Sequence, residues 1–188
     1  MKKIITVIVF AVATLMANAQ SDKASKSVTE KSNSEIGILD ADNDTKKQSI
    51  ITVLINTDWN GLGVLMGKKA TYSMNWQSVL NNQFIKLEFQ NKRESENNEA
   101  IVFNATAFYK IVNDTIVTGN WFDNRGMSLP LKGHVKENEL TILWGNDETE
   151  RGKTIYHYTS NNTITVEDFI MNNGEYYKFG NATYNTTN

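Results

Sequence analysis

The stretch TYSMNWQSVLNNQFIKLEFQ, residues 71–90, decides the class of fold because its side chains alternate in character every second residue. Large apolar side chains share one face of each half: Tyr72, Met74 and Trp76 in the first, and Ile85, Leu87 and Phe89 in the second. Successive strand residues point to opposite faces, so each half is typical of a strand with one buried face. Asn81 and Asn82 between them tolerate the positive φ of a tight hairpin.

The same alternation of apolar runs and turn residues continues to the end of the chain. The predicted strands are Gly63–Gly67, Lys69–Val79, Gln83–Gln90, Ala100–Val112, Thr115–Asp123, Met127–Val135, Glu139–Trp144, Lys153–Ser160, Thr163–Met171 and Glu175–Tyr184. Regular spacing indicates a sandwich or a barrel, and short links place consecutive strands side by side. We predict an all-β fold, a single antiparallel up-and-down β-barrel of about eight to ten strands. The segment Ile50–Ile55 is too short for periodicity to distinguish a strand from a helix.

The N-terminal region has the three parts of a secretory signal peptide, in order. Lys2 and Lys3 give a positive start, Ile4–Met16 is apolar apart from two threonines, and Ala17-Asn18-Ala19 supplies small residues two apart. The apolar run is shorter than the roughly 20 residues of a membrane-spanning helix. We therefore predict a signal peptide over residues 1–19, cleaved after Ala19.

The next segment, residues 20–48, is rich in Ser, Lys, Asp, Glu and Asn. Such a composition buries too little apolar surface to offset the entropy of ordering, which predicts a disordered, flexible leader. A short docked strand around Ile36–Leu39 is the alternative. The β-barrel domain is then expected over residues 49–188.

Composition excludes several classes of function. The chain has no cysteine, so disulfides, thiolate metal sites and a lipid-modified cysteine are impossible. The formal net charge is −2, and removal of Lys2 and Lys3 makes it −4, so no basic footprint for nucleic acid is present. We expect a soluble bacterial protein of the periplasm or the extracellular space, not a lipoprotein, with no integral membrane segment after cleavage. The sequence leaves the oligomeric state open.

Two short motifs resemble the calycin-type barrels, which include the lipocalins and the nitrobindin-like heme-binding proteins. Trp59-Asn60-Gly61-Leu62-Gly63 is similar to their W-x-G-x-G opening, and Gly119-Asn120-Trp121-Phe122-Asp123 resembles a mid-barrel hairpin of lipocalin-like exported bacterial proteins. The resemblance implies a barrel that encloses one small ligand. Two family features are missing, because no arginine follows Arg151 and neither histidine has a matching heme-ligand context.

Candidate ligand-binding residues are the side chains expected to face the barrel interior. Aromatic rings can line an apolar pocket, although β-sheets also use them for packing alone. Asp168 shares a predicted face with Ile164, Val166 and Ile170, and a carboxylate on an apolar stripe either orients a polar ligand group or is paired. The candidate set is Tyr72, Trp76, Phe89, Phe103, Trp144 and Asp168.

Metal, cofactor and catalytic signals are weak. His157 is the one candidate metal or heme ligand, and it faces inward only if Ile155 does, whereas His134 is expected to face solvent. No G-x-S-x-G motif or phosphate-binding glycine loop occurs, so we predict no catalytic residues and no cofactor.

Two functional hypotheses follow. The first is an exported lipocalin-like protein that holds a small hydrophobic or amphipathic ligand in the barrel. The alternative is a structural or interaction protein with a core filled by side chains and no ligand. The volume of the cavity distinguishes them.

Overall fold

The computed structural model describes residues 49–94, 99–160 and 162–187. The predicted signal peptide and leader lie outside this range. Within it, one short helix precedes ten strands. The elements are α1 (Ile50–Leu54), β1 (Thr57–Leu65), β2 (Lys68–Val79), β3 (Phe84–Glu94), β4 (Ala100–Asn113), β5 (Ile116–Asp123), β6 (Ser128–Lys136), β7 (Glu139–Trp144), β8 (Gly152–Ser160), β9 (Thr163–Asn172) and β10 (Glu175–Thr186).

The ten strands form one closed antiparallel barrel. Each strand pairs with the next along the chain, and β10 pairs with β1 to complete the ring. Closure leaves no strand with an unpaired edge. The predicted all-β, up-and-down antiparallel barrel is therefore confirmed, with a strand number at the upper limit of the predicted range.

The two ends of the barrel differ. At the helix end, where β1 begins, α1 contacts β7 and β8, and its Ile50 and Leu54 are fully buried in the core. The segment Ile50–Ile55, which the sequence left undecided, thus forms a helix that ends at Leu54. Asn56 then donates its backbone N–H to Trp76 O. The far end carries the turns at 66–67, 124–127, 145–151 and 173–174. The described residues contain no helix of the length and apolar character needed to span a bilayer.

Large aromatic side chains fill the interior near the helix end. The Trp76 indole stacks on Tyr109 at a centroid distance of 5.4 Å and meets the Tyr156 ring edge-on at 5.7 Å. Such contacts add to the free energy gained by removing apolar area from water. This end of the core is therefore densely packed.

The first strand begins six residues before its predicted start, at Thr57 instead of Gly63. The predicted strand started at Gly63 and left out Trp59-Asn60-Gly61-Leu62, but Gly61 and Gly63 both lie within β1. A Cβ at Gly63 would lie 1.9 Å from the Asn181 carbonyl oxygen of β10, and one at Gly61 would lie 2.7 Å from the Tyr184 ring. The glycines permit the close approach of β1 and β10 that closes the barrel.

Candidate functional site

The side chain of Asp168 lies inside the barrel, on the inward face of β9. Its Oδ1 accepts a hydrogen bond from Thr154 Oγ1 on β8 at 2.7 Å. On the other side, Oδ2 lies close to the space above Gly180, beside Leu65. Burial raises the pKa of Asp168 to about 6, and the Thr154 hydrogen bond opposes that rise. A carboxyl group that titrates near neutrality is thus held in a largely apolar interior.

Tyrosine rings surround this carboxyl group. The rings of Tyr72 and Tyr184 are 5.7 Å apart, and the Tyr72 hydroxyl donates to Val64 O at 3.2 Å. Burial, and then the charge of Asp168, raise the pKa of Tyr72 to about 12, and the same two causes raise the pKa of Tyr184. Both phenols therefore stay protonated at neutral pH.

A second polar side chain, Asn91, lies on the inward face of β3, and 7% of its surface is exposed. It pairs in register with Tyr72 of β2 and Phe103 of β4. Its buried Oδ1 has no hydrogen-bond partner within the described residues. An unpaired buried acceptor costs about 1–3 kcal/mol, so a donor supplied from outside the chain is favoured there.

Three aromatic rings line the interior on β3, β4 and β5, on the side of the barrel that contains Asn91. Phe89 lies 6.2 Å from Phe103 and 5.7 Å from Trp121, and Phe103 stacks on Trp121 at 6.3 Å, all between ring centroids. The Trp121 Nε1–H donates to Asp123 Oδ2 at 3.2 Å. These rings give the far half of the interior an apolar wall beside its polar groups.

An arginine clasp covers this aromatic wall. Arg125, in the β5–β6 turn, lies over the Phe103 ring and donates to Asp123 Oδ2 at 2.7 Å and to Glu150 Oε2 at 3.2 Å. Burial raises the pKa of Asp123, but hydrogen bonds from Arg125 and Trp121 outweigh it, so the pKa lies below its ordinary value. Because Glu150 belongs to the β7–β8 loop, the clasp joins two loops across the far end.

The structure brings together most of the candidate residues. Tyr72, Phe89, Phe103 and Asp168 lie in the far half of the interior, and half-buried Trp144 packs over Gly152 on the inward face of β7. Trp76 does not join them, because it lies in the core at the helix end, stacked on Tyr109.

Sequence reasoning missed Asn91, Thr154, Trp121 and the Arg125 clasp. The two-residue period of Ile85, Leu87 and Phe89 continues to Asn91, and that signal could have placed it inside. The clasp has no comparable signal, because Arg125 and Glu150 are 25 residues apart.

The candidate metal ligand His157 lies on the outer face. The register places Tyr156 and Tyr158 toward the core, so the condition that Ile155 faces inward is not met. His157 Nε2 lies 3.3 Å from Asn138 Nδ2, and His134 is exposed. Among the described residues, no group of three or more His, Asp or Glu side chains is arranged to hold a metal ion.

Two other buried polar atoms inside the barrel have no partner among the described residues, the Nε1 atoms of Trp59 and Trp76. The interior thus offers unpaired donors near the helix end and an unpaired acceptor nearer the far end. The chain matches no known family model and no curated protein.

Proposed function

We propose that this protein binds a small amphipathic molecule in the far half of its barrel. The observation that carries the proposal is the half-buried Asp168 carboxyl group on the inward face of β9, which has Thr154 as its hydrogen-bond donor among the described side chains. A packed structural core gains nothing from such a group, because burying a carboxylate without a charged partner costs free energy. Retaining it there is consistent with a role in ligand recognition.

The polar end of the ligand follows from the chemistry of the site. Asp168 in its ionised form and the Oδ1 of Asn91 are both hydrogen-bond acceptors, and Tyr72 lies between them. A ligand with a donor, such as an amine or a hydroxyl, complements these atoms. The Phe89, Phe103 and Trp121 rings would contact its apolar part.

We also propose that the protein works outside the cytoplasm and is related to the lipocalin-like calycins. Export rests on the signal-peptide pattern of residues 1–19. The relation rests on the W-N-G-L-G opening, and a closed antiparallel barrel is compatible with it. In this proposal no cofactor takes part, because the binding groups are all side chains of the barrel.

The test compares three probes of equal chain length: octylamine, octanol and octanoate. Binding to the full barrel is measured by isothermal titration calorimetry at pH 7.5. We expect octylamine to bind most tightly, octanol less tightly and octanoate least, because Asp168 repels a second carboxylate. Replacing Asp168 with Asn is expected to weaken octylamine binding by about tenfold or more, the loss of one charge-assisted hydrogen bond.

Glu167→Gln is the matched control, because Glu167 is adjacent in sequence but pairs with Lys178 at the outer surface. It is expected to leave the order and strength of binding unchanged. Equal binding of all three probes, or an equal effect of the two substitutions, would contradict the proposed site.

The alternative, a barrel that works through its surface, is favoured by one observation. The aromatic core at the helix end is densely packed, and the two grooves described on the molecule, of about 580 and 560 Å³, lie on the outer wall. If none of the three probes binds and native mass spectrometry of protein from its own source gives the bare polypeptide mass, this alternative replaces the ligand-binding proposal.

A further inference from the structure

The larger of the two grooves lies on the outer wall of β1 to β4. It has a volume of about 580 Å³, and we name it the β1–β4 groove. Its floor contains a row of outward side chains that pair in register from strand to strand. That row is Asn60, Ser73, Gln90 and Asn104. Amides and hydroxyls thus continue across four neighbouring strands.

Two of these groups, Gln90 and Asn104, are joined by a hydrogen bond. Gln90 Nε2 donates to Asn104 Oδ1 at 2.9 Å. The amide oxygen of Gln90, Oε1, is therefore directed away from that contact. A second row, one pleat nearer the helix end, contains Asp58, Asn75 and Glu88. Glu88 forms an ion pair with Lys86, which reduces the charge of the groove.

Asn75 provides a second, independent observation. Its Nδ2 donates to the Asp58 carboxylate, and this contact fixes the orientation of the amide because a carboxylate can only accept. The buried Oδ1 of Asn75 then has no hydrogen-bond partner among the described residues. Asn75 is half-buried and lines the groove, so this acceptor is left unpaired at the groove.

An aromatic border adjoins these polar groups. Phe122 of β5 pairs in register with Thr106, which lines the groove, and 47% of its surface is exposed. Phe108, also on the outer face of β4, is 36% exposed. Exposed rings beside rows of amides offer an apolar platform next to hydrogen-bonding groups.

We propose that the β1–β4 groove binds a neutral saccharide chain. Saccharide hydroxyls both donate and accept, as do the amides of the floor, and the C–H face of a sugar ring can pack on Phe122. A highly charged ligand fits less well, because the floor is mostly uncharged. A peptide added as an extra strand has no place to pair, because the barrel is closed.

The test uses three neutral hexasaccharides as probes: cellohexaose, maltohexaose and chitohexaose. Binding to the protein is followed by isothermal titration calorimetry. We expect at least one to bind, with affinity lowered about tenfold by Gln90→Ala and by Phe122→Ala, because each removes one contact of the floor or border. All these side chains are on the outer face, so the variants should remain folded by circular dichroism.

Two matched controls keep the result specific to the groove. Asn181→Ala removes an exposed strand amide of β10, and Tyr177→Ala removes an exposed aromatic ring of the β9–β10 hairpin, both outside the groove. Neither should change saccharide binding, and Asp168→Asn should not change it either. No binding of any hexasaccharide at millimolar concentration, or equal losses in the control variants, would overturn the proposal and leave the interior site unaffected.

Discussion

At the scale of single residues, Asp168 is the least expected side chain of the interior. Its carboxyl group is half-buried near Tyr72, Tyr156 and Tyr184 and accepts a hydrogen bond from Thr154. Because burial raises its pKa to about 6, the folded state binds a proton more tightly than the unfolded state, whose pKa is near 3.8. The contribution of Asp168 to stability is therefore most favourable at low pH and becomes less favourable as the pH rises from about 4 to about 6.

We predict that Asp168→Asn stabilises the protein at neutral pH and much less in acid. The expected gain in the free energy of unfolding is up to about 3 kcal/mol at pH 7.5 and under about 1 kcal/mol at pH 4, because an amide has no charge to desolvate. Urea unfolding at the two pH values measures it. Glu167→Gln, at the outer surface, serves as the control, and an equal change at both pH values would show that Asp168 is not desolvated.

The role of Asn91 depends on which face of β3 its side chain occupies. Its neighbours in the sequence are hydrophilic, which suggests a surface residue. Its position in β3 nevertheless places it between Tyr72 and Phe103. The free energy cost of its unpaired oxygen is comparable to a single hydrogen bond. The far half of the barrel therefore contains two acceptors that the packing alone does not require.

At the scale of elements, an arginine joins two of the connections at the far end. Arg125 connects the β5–β6 turn to Glu150 of the β7–β8 loop, and it packs over the Phe103 ring that lines the interior. An exposed ion pair of this kind stabilises a protein by only about 0–1 kcal/mol. At that strength the ion pair between Arg125 and Glu150 can open without unfolding the barrel.

We predict that Glu150→Gln loosens the far end while leaving the barrel stable. Amide hydrogen exchange should accelerate at 124–127 and 145–151, and octylamine should dissociate about two to five times faster, with global stability changed by less than about 1 kcal/mol. Stopped-flow kinetics and exchange mass spectrometry measure these effects.

Asp147→Asn is the control for the clasp, because it removes the ion pair with Arg151 within the same loop. In this variant, amide hydrogen exchange at 145–151 can accelerate. Octylamine should still dissociate at the rate of the unchanged protein. If both substitutions accelerate octylamine dissociation equally, the effect arises from the β7–β8 loop in general and not from the clasp.

At the scale of the whole molecule, closure joins elements from the two ends of the described chain. Trp59 of β1 pairs with Thr186 of β10, and the two glycines of β1 permit the close approach of these strands. Contacts of such long sequence separation form late and slow folding. Completion of the ring also creates the enclosed interior on which the proposed binding depends.

At the same scale, we predict that a bacterial host exports the protein with Gln20 as its first residue. Intact-mass measurement and N-terminal sequencing of periplasmic protein test this. Ala19→Arg should block cleavage and leave the precursor uncut, because the peptidase reads small residues at Ala17 and Ala19. Asn18→Ser is the control and should be processed normally; precursor retained in the cytoplasm in every case would contradict export.

The sequence by itself determined the strands and their neighbours, since alternation and turn residues are local signals. The β7 bounds agree with the prediction, and the hairpin over residues 71–90 forms as expected. The predicted start of the first strand, Gly63, was six residues late, because close packing against β10 accommodates both Gly61 and Gly63 inside β1.

Only the tertiary structure decided which face of an ambiguous strand is buried and which side chains meet. In β8 both faces carry apolar residues, Ile155 on one and Tyr156 on the other, and pairing with Leu140 and Val166 turns Tyr156 inward. His157 thereby lies outside. The meeting of Asp168 with Tyr72, and of Arg125 with Glu150, likewise follows from ring closure and register, because contacts between distant strands have no periodicity along the chain.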